Sequence, residues 1–298
     1  MVTVGSILRG TLQFVRSNIP AIAAWSGLLL VSMLLMVLLM RPIYEAQLAT
    51  MQTGTPVLPS FGPFFWLIIP VMTVLFLVIW AAGFRAVLRP ADSRFFYLRL
   101  GMDEARLFGL LILLMLMMIG LEIVGTIGVV LVGGVLSLVV GKAAGMAIGA
   151  VLGIALGCAF LWAAIRISPA GPLTILERKI SIRATWRLSR GHFWPMFGAY
   201  LIIVLGTMVV YFAVTFAQMG SDFADMLRPT DPDAARRLAE HSLARYQSVP
   251  SLILYAVLSG LVSGMAMAFQ IGMTAVATRD LLGPDATAAE TPSGPWSN

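Results

Sequence analysis

The sequence predicts an all-α, polytopic membrane protein with six transmembrane helices, and three observations carry that reading. Hydrophobic residues make up 59% of the chain and charged residues only 11%, against roughly 25% charged in soluble domains. Six apolar runs, 21–40, 64–84, 107–132, 143–165, 194–216 and 250–276, each reach about the twenty residues a helix needs to cross a bilayer core of about 30 Å. An arginine-bearing pattern also recurs ahead of alternate runs. Its fullest copy holds Arg183, Thr185, Arg190, Gly191, His192 and Pro195. The first holds Arg9, Thr11, Arg16, Asn18 and Pro20. A middle copy keeps only the seven-residue spacing, in Arg99 and Arg106.

In chain order, residues 5–19 read as an amphipathic helix on the membrane surface. Leu8, Leu12, Val15 and Ile19 form one stripe, and Arg9, Gln13 and Arg16 form another beside it. The first span is a retained helix rather than a signal peptide. Its apolar run exceeds the usual h-region, and Arg41-Pro42 stands where small residues would mark cleavage. Residues 41–63, rich in Thr, Pro and Gly, predict a loop. The second span closes on Trp80-Ala-Ala-Gly-Phe-Arg85 and then Arg89-Pro90. Residues 93–106 predict a second surface helix, with Leu98 and Met102 opposite Arg99, Asp103 and Arg106, and Asp92 as its N-cap.

The third span contains Glu122, the only acidic residue inside any span. Beyond it Gly133, Ser137, Gly141, Gly145, Gly149, Gly153 and Gly157 recur every four residues. Small residues on one helical face let backbones approach closely in lipid. The region is too long for one crossing, so a tight turn near 133–142 must divide it, leaving the Gly141–Gly157 packing face (a glycine zipper) on span four. That span ends in Trp162-Ala-Ala-Ile-Arg166 and Pro169, and the sixth in Ala275-Val-Ala-Thr-Arg279 and Pro284.

Starts and ends therefore repeat together. They predict one membrane domain, 1–282, built from three parallel hairpin repeats at about 5–90, 91–170 and 178–284. Each repeat is preceded by a short surface helix on the inner side. The long outer connection 217–249 holds a polar helix over Asp233–Tyr246, opened by Asp231-Pro232. The tail, 283–298, reads as disordered.

Sidedness follows from the basic residues. With both termini inside, inner segments hold fourteen of the twenty Lys and Arg, against six outside: Arg41, Lys142, Arg228, Arg236, Arg237 and Arg245. An excess of Lys and Arg marks the cytoplasmic side. The net charge of +6 is thereby explained without a nucleic-acid partner.

Two groups of residues invite a functional reading. Glu122 is an ionisable group within a span, which is costly and marks proton relays and cation sites; the plainer account is a carboxyl that joins span three to a neighbour. Arg183, Arg187 and Arg190 share one helical face beside Trp186, with Arg9, Arg16, Arg99 and Arg106 in the other copies. Guanidinium forks suit phosphate, and basic residues at the cytoplasmic leaflet attract anionic lipid headgroups. Topology and anchoring alone would also explain them. Cys158 stands alone, and His192 and His241 fall in different loops, so no metal site is expected. No nucleotide-loop or zincin motif is present, and no cofactor or intrinsic catalysis is expected.

Ser168-Pro-Ala-Gly-Pro172, Glu177, Ala184-Thr-Trp186, Ser189-Arg-Gly191, Phe193-Trp194 and Tyr200-Leu201, with Tyr97-Leu-Arg99-Leu-Gly101 upstream, carry a family likeness. The chain resembles uncharacterised bacterial six-span proteins, similar to the membrane domain attached to some glycerophosphodiester phosphodiesterases. The resemblance implies a bacterial inner-membrane helical protein and transfers no catalytic residue. On the sequence, two function classes stand open. One is a non-catalytic protein that binds membrane lipids or other membrane proteins at its elbows. The other is a small-solute transporter or channel using Glu122 and the glycine face.

Overall fold

The computed structural model describes residues 2–62, 65–91, 94–220, 222, 223, 227 and 232–283. Asp92, Asp231 and the tail from 284 lie outside the described residues. The helices are α1 (Val4–Ser17), α2 (Ile19–Thr53), α3 (Phe65–Leu88), α4 (Met102–Val140), α5 (Lys142–Ile167), α6 (Ala170–Glu177), α7 (Ile182–Leu188), α8 (Phe193–Met219), α9 (Pro232–Gln247) and α10 (Val249–Leu282). A 3-10 turn, Arg94–Tyr97, precedes α4, and no strand occurs among the described residues. Six helices, α2, α3, α4, α5, α8 and α10, are long and apolar enough to cross a membrane. The chain is a multi-pass membrane protein.

Local chemistry fixes the joints. Thr3 and Ser6 form a capping box at the start of α1, each hydroxyl accepting the other's backbone N–H at 3.1 Å. Asn18 closes α1 by donating its amide to the Phe14 carbonyl at 2.9 Å, and Pro20 sits in the first turn of α2. Helix α2 overruns the loop expected over 41–63. It continues through Pro42 to Thr53 and ends at Gly54, which adopts φ +69° and donates to Thr50. Pro42 removes one helical hydrogen bond, but Glu45, Ala46, Gln47 and Leu48 favour helix. The overhang also packs against α9, with Ala46 and Ala234 buried.

Helix α10 is the packing centre. It lies against α2 most extensively and also against α1, α3 and α8, and every residue from Ile271 to Thr278 is buried. Gly260 makes this approach possible: a Cβ there would stand 2.8 Å from the Leu30 Cα. In lipid such fitting, rather than hydrophobicity, holds helices together.

Helices α4 and α5 form a long hairpin that reverses at Gly141, where φ is +97°. The four-residue periodicity folds back on itself there. Gly133 meets Gly149, and Ser137 meets Gly145, each pair symmetric about the turn. The packing face is thus shared between both helices instead of belonging to span four. Gly153 and Gly157 face open space, with nothing within 4 Å of a Cβ placed on either. Outward of Leu110, α4 has no buried residue.

The three elbows differ. Helix α1 turns Ile7, Thr11 and Phe14 into the bundle, while Leu12 stays exposed. The second elbow is not the surface helix expected over 93–106. Phe95, Phe96 and Tyr97 take left-handed φ of 51–64°, and Met102–Arg106 already belongs to α4. The third elbow is the seven-residue α7.

Candidate functional site

All three elbows gather at one end of the molecule. Trp25 at the start of α2 donates its indole N–H to the Phe96 carbonyl at 3.1 Å. Arg89 donates to the Ile175 and Leu176 carbonyls at the end of α6, at 2.9 and 3.2 Å. Helix α7 packs on α5 and α6, and α1 packs on α8 and α10.

The repeated Arg-x-Thr pattern resolves into two roles. Thr11 and Thr185 are both fully buried, and each hydroxyl donates to the carbonyl four residues back, Ile7 at 2.8 Å and Ser181 at 3.1 Å. The threonine is a small, internally satisfied residue on the packed face. The arginines two residues earlier, Arg9 and Arg183, project from the opposite side and are exposed.

The arginines that close the spans do the reverse and dock onto elbows. Arg85, at the end of α3, is completely buried. Its Nη1 donates to the Tyr97 carbonyl at 2.7 Å, and its Nη2 pairs with Glu104, itself buried. Glu104 Oε2 also accepts the Gly101 N–H at 2.9 Å, which ties the start of α4 to the same point. Asp103 beside it accepts from Arg106 at 3.1 Å and lies 3.6 to 4.0 Å from Arg85, Arg99 and Arg89. Charge-assisted bonds of this kind are strong where water is excluded.

Arg166, at the end of α5, docks onto the third elbow. Its guanidinium lies 4.1 Å from the Trp186 ring centre and 5.2 Å from that of Trp162. Its Nη2 donates to the Trp186 carbonyl at 2.8 Å. Arg279, near the end of α10, reaches the first elbow, where a Cβ on Gly10 would stand 3.4 Å from its Nη2. The arginines that close the second, fourth and sixth spans thus meet elbows two, three and one.

The candidate residues now separate. Arg99 and Arg106 are engaged with Asp103, and Trp186 has one ring face covered by Arg166. Arg9, Arg16, Arg183, Arg187 and Arg190 are exposed and make no ion pair with a described residue. Trp194 projects beside the third elbow, 74% exposed, with Phe193 and Phe197 packed around it. His192 rests its Nδ1 3.2 Å from the Arg190 carbonyl, and Glu177 pairs with Lys179. Arg85, Glu104 and Arg166 were not among the sequence candidates. For the two arginines the signal was the Trp-Ala-Ala ending shared by spans two and four.

Glu122 is exposed on α4 and lines a cleft of about 440 Å³ with Thr126, Gly153, Gly157 and Phe160. Among the described residues, only α4 and α5 wall this cleft. Compared with protein-family models, curated proteins and solved structures, the chain matches none of them.

Proposed function

We propose that this is a non-catalytic membrane protein whose elbow end binds anionic lipid headgroups. The observation that carries the reading is the division among arginines. Arg85, Arg89, Arg99 and Arg106 are engaged within the protein, while Arg183 and Arg187 on α7, and Arg190 in the turn that follows it, are exposed with no carboxylate partner among described residues. Trp194 and Phe193 flank that face as amphipathic and apolar anchors do at a membrane interface. The elbow end is the cytoplasmic side of a bacterial inner membrane, with both termini inside, and partner membrane proteins would meet the same face. Three hairpin units in one orientation form the domain; the three span-end arginines, each reaching a different elbow, support that arrangement, as the Gly133–Gly149 seam supports a glycine zipper in the middle unit. The likeness to phosphodiesterase membrane domains points to the same lipid setting.

The transport reading gains no support. A path at Glu122 would need walls from other helices, and among the described residues the cleft there is walled by α4 and α5 alone.

The test is lipid preference of the full-length protein in nanodiscs of phosphatidylcholine with and without phosphatidylglycerol. Each basic residue near an anionic surface contributes about 1 kcal/mol, and about 1.4 kcal/mol is tenfold. Replacing Arg183, Arg187 and Arg190 by Gln is expected to reduce phosphatidylglycerol enrichment by about tenfold or more. Unchanged enrichment would reject the face.

A further inference from the structure

A groove of about 500 Å³ runs between α1, α8 and α10, within the ~300–1,000 Å³ of small-molecule sites. Leu8 and Leu12 of α1, Ile202 and Gly206 of α8, and Met265 and Phe269 of α10 line it. Thr11 and Thr207 also reach it, but both hydroxyls donate at 2.8 Å to carbonyls of their own helices. The groove therefore presents hydrocarbon to whatever enters. Gly206 leaves part of the space open, since a Cβ there would meet nothing within 4 Å.

Helix α1 adds a charged edge to this slot. At about 100° per residue, Ile7, Thr11 and Phe14 face the bundle, and Leu8 and Leu12 lie roughly a quarter to a third of a turn away, over the groove. Arg9 and Arg16 come next around the helix, immediately beyond Leu12. Gln13 and Ser17 follow. The Arg9 and Arg16 positions thus flank the groove-lining side of α1, away from the bundle, both exposed and neither paired with a described carboxylate. An apolar slot on two membrane-spanning helices, edged by two uncompensated cations, is complementary to one kind of molecule: an acyl chain carrying a phosphate.

We propose that this groove holds one anionic phospholipid, with an acyl chain between α8 and α10 and its phosphate on Arg9 and Arg16. The choice of headgroup rests on the anionic-lipid reading above; the bounded groove is a separate site from the α7 face.

The experiment uses full-length protein equilibrated in nanodiscs of equimolar dioleoyl phosphatidylglycerol and dioleoyl phosphatidylcholine, followed by native mass spectrometry of the released protein. One phosphatidylglycerol per chain is expected to stay bound, and dihexanoyl phosphatidylglycerol is expected not to displace it. Gly206→Phe, which places a ring in the open space, should lower the retained fraction by about tenfold; Gly206→Leu should lower it less. Arg9→Gln with Arg16→Gln should keep a lipid but lose about tenfold in preference for phosphatidylglycerol. Wild-type retention in a Gly206→Phe protein with an unchanged unfolding temperature would overturn the site, and should that variant fail to fold, wild-type retention in Gly206→Leu would do so. Displacement by the dihexanoyl lipid would also overturn it, by showing that the headgroup alone binds. If the Arg183, Arg187 and Arg190 variant loses enrichment while the groove variants do not, the groove fails and the α7 face stands. The opposite result rejects the α7 face and keeps the groove.

Discussion

Arg85 and Arg183 are the same side chain at the same end of the molecule, with opposite surroundings. Arg85 is sealed against Glu104 and the Tyr97 carbonyl, while Arg183 meets no acid. Removing one partner of a buried ion pair leaves the other charged and desolvated, at a cost of about 3–5 kcal/mol. Arg85→Met is therefore expected to lower the unfolding temperature in detergent sharply, and Arg85→Met with Glu104→Leu should recover most of the loss. A double variant as unstable as the single one would show that the pair is not the source of the effect. The sequence hid this difference. Asp103 read as part of a polar stripe with Arg99 and Arg106, and Glu104 was not singled out, although a Glu at the third helical position is a cap signal and here also anchors Arg85. On α1, periodicity exposed an apolar side but could not say which stripe met protein. Of the legible stripe, Leu8, Leu12, Val15 and Ile19, Val15 is buried while Leu12 and Ile19 are exposed, and Ile7, Thr11 and Phe14, one step around, make the rest of the contact.

Among the helices, the α4–α5 hairpin shows most clearly how spacing becomes packing. A Cβ on Gly145 would collide with the Ser137 backbone, whereas one on Gly153 meets nothing within 4 Å. Gly145→Ala is expected to destabilise by about 1–3 kcal/mol, the usual scale of overpacking, and Gly153→Ala to be neutral or slightly stabilising through helix propensity. Unfolding of both variants in one detergent checks the contrast, which equal effects would refute. The turn itself was legible, because a four-residue glycine period too long for one crossing has to reverse somewhere. The overhang of α2 was not, since Pro42 reads as a stop and its rescue comes from α9, distant in sequence. Nor was the second elbow: Phe95, Phe96 and Tyr97 accept left-handed backbone, costing roughly 1–2 kcal/mol per residue, because Trp25 and Arg85 bind the carbonyls it presents.

At the scale of the whole molecule, the six spans follow from apolar run length alone, and all six lie where the runs place them. What the sequence could not convey is how they associate. The first span packs chiefly on the last, and only α4 and α5 form a tightly paired hairpin between neighbours in the chain. Gathering the elbows at one end requires that the 94–106 segment, the 166–193 segment, the start of α1 and the end of α10 share a side. Reporter fusions at Pro90, Arg178 and Leu282 are expected to report the same compartment, the cytoplasm, with fusions at Gly54 and Gln247 reporting the other. An external signal at Pro90 would reject this topology.

Helix α4 has one further consequence. From Phe108 to Val140 its only charge is Glu122, and at about 1.5 Å per residue this stretch measures on the order of 50 Å against a hydrocarbon core of about 30 Å. The average lean of a membrane helix, about 20°, absorbs little of that excess. A steeper lean, a locally thickened bilayer or a tip standing clear of the lipid must take up the rest. Bilayer thickness thereby becomes a mechanical variable for this protein: a thicker membrane lets the arm stand upright, and a thinner one forces it over.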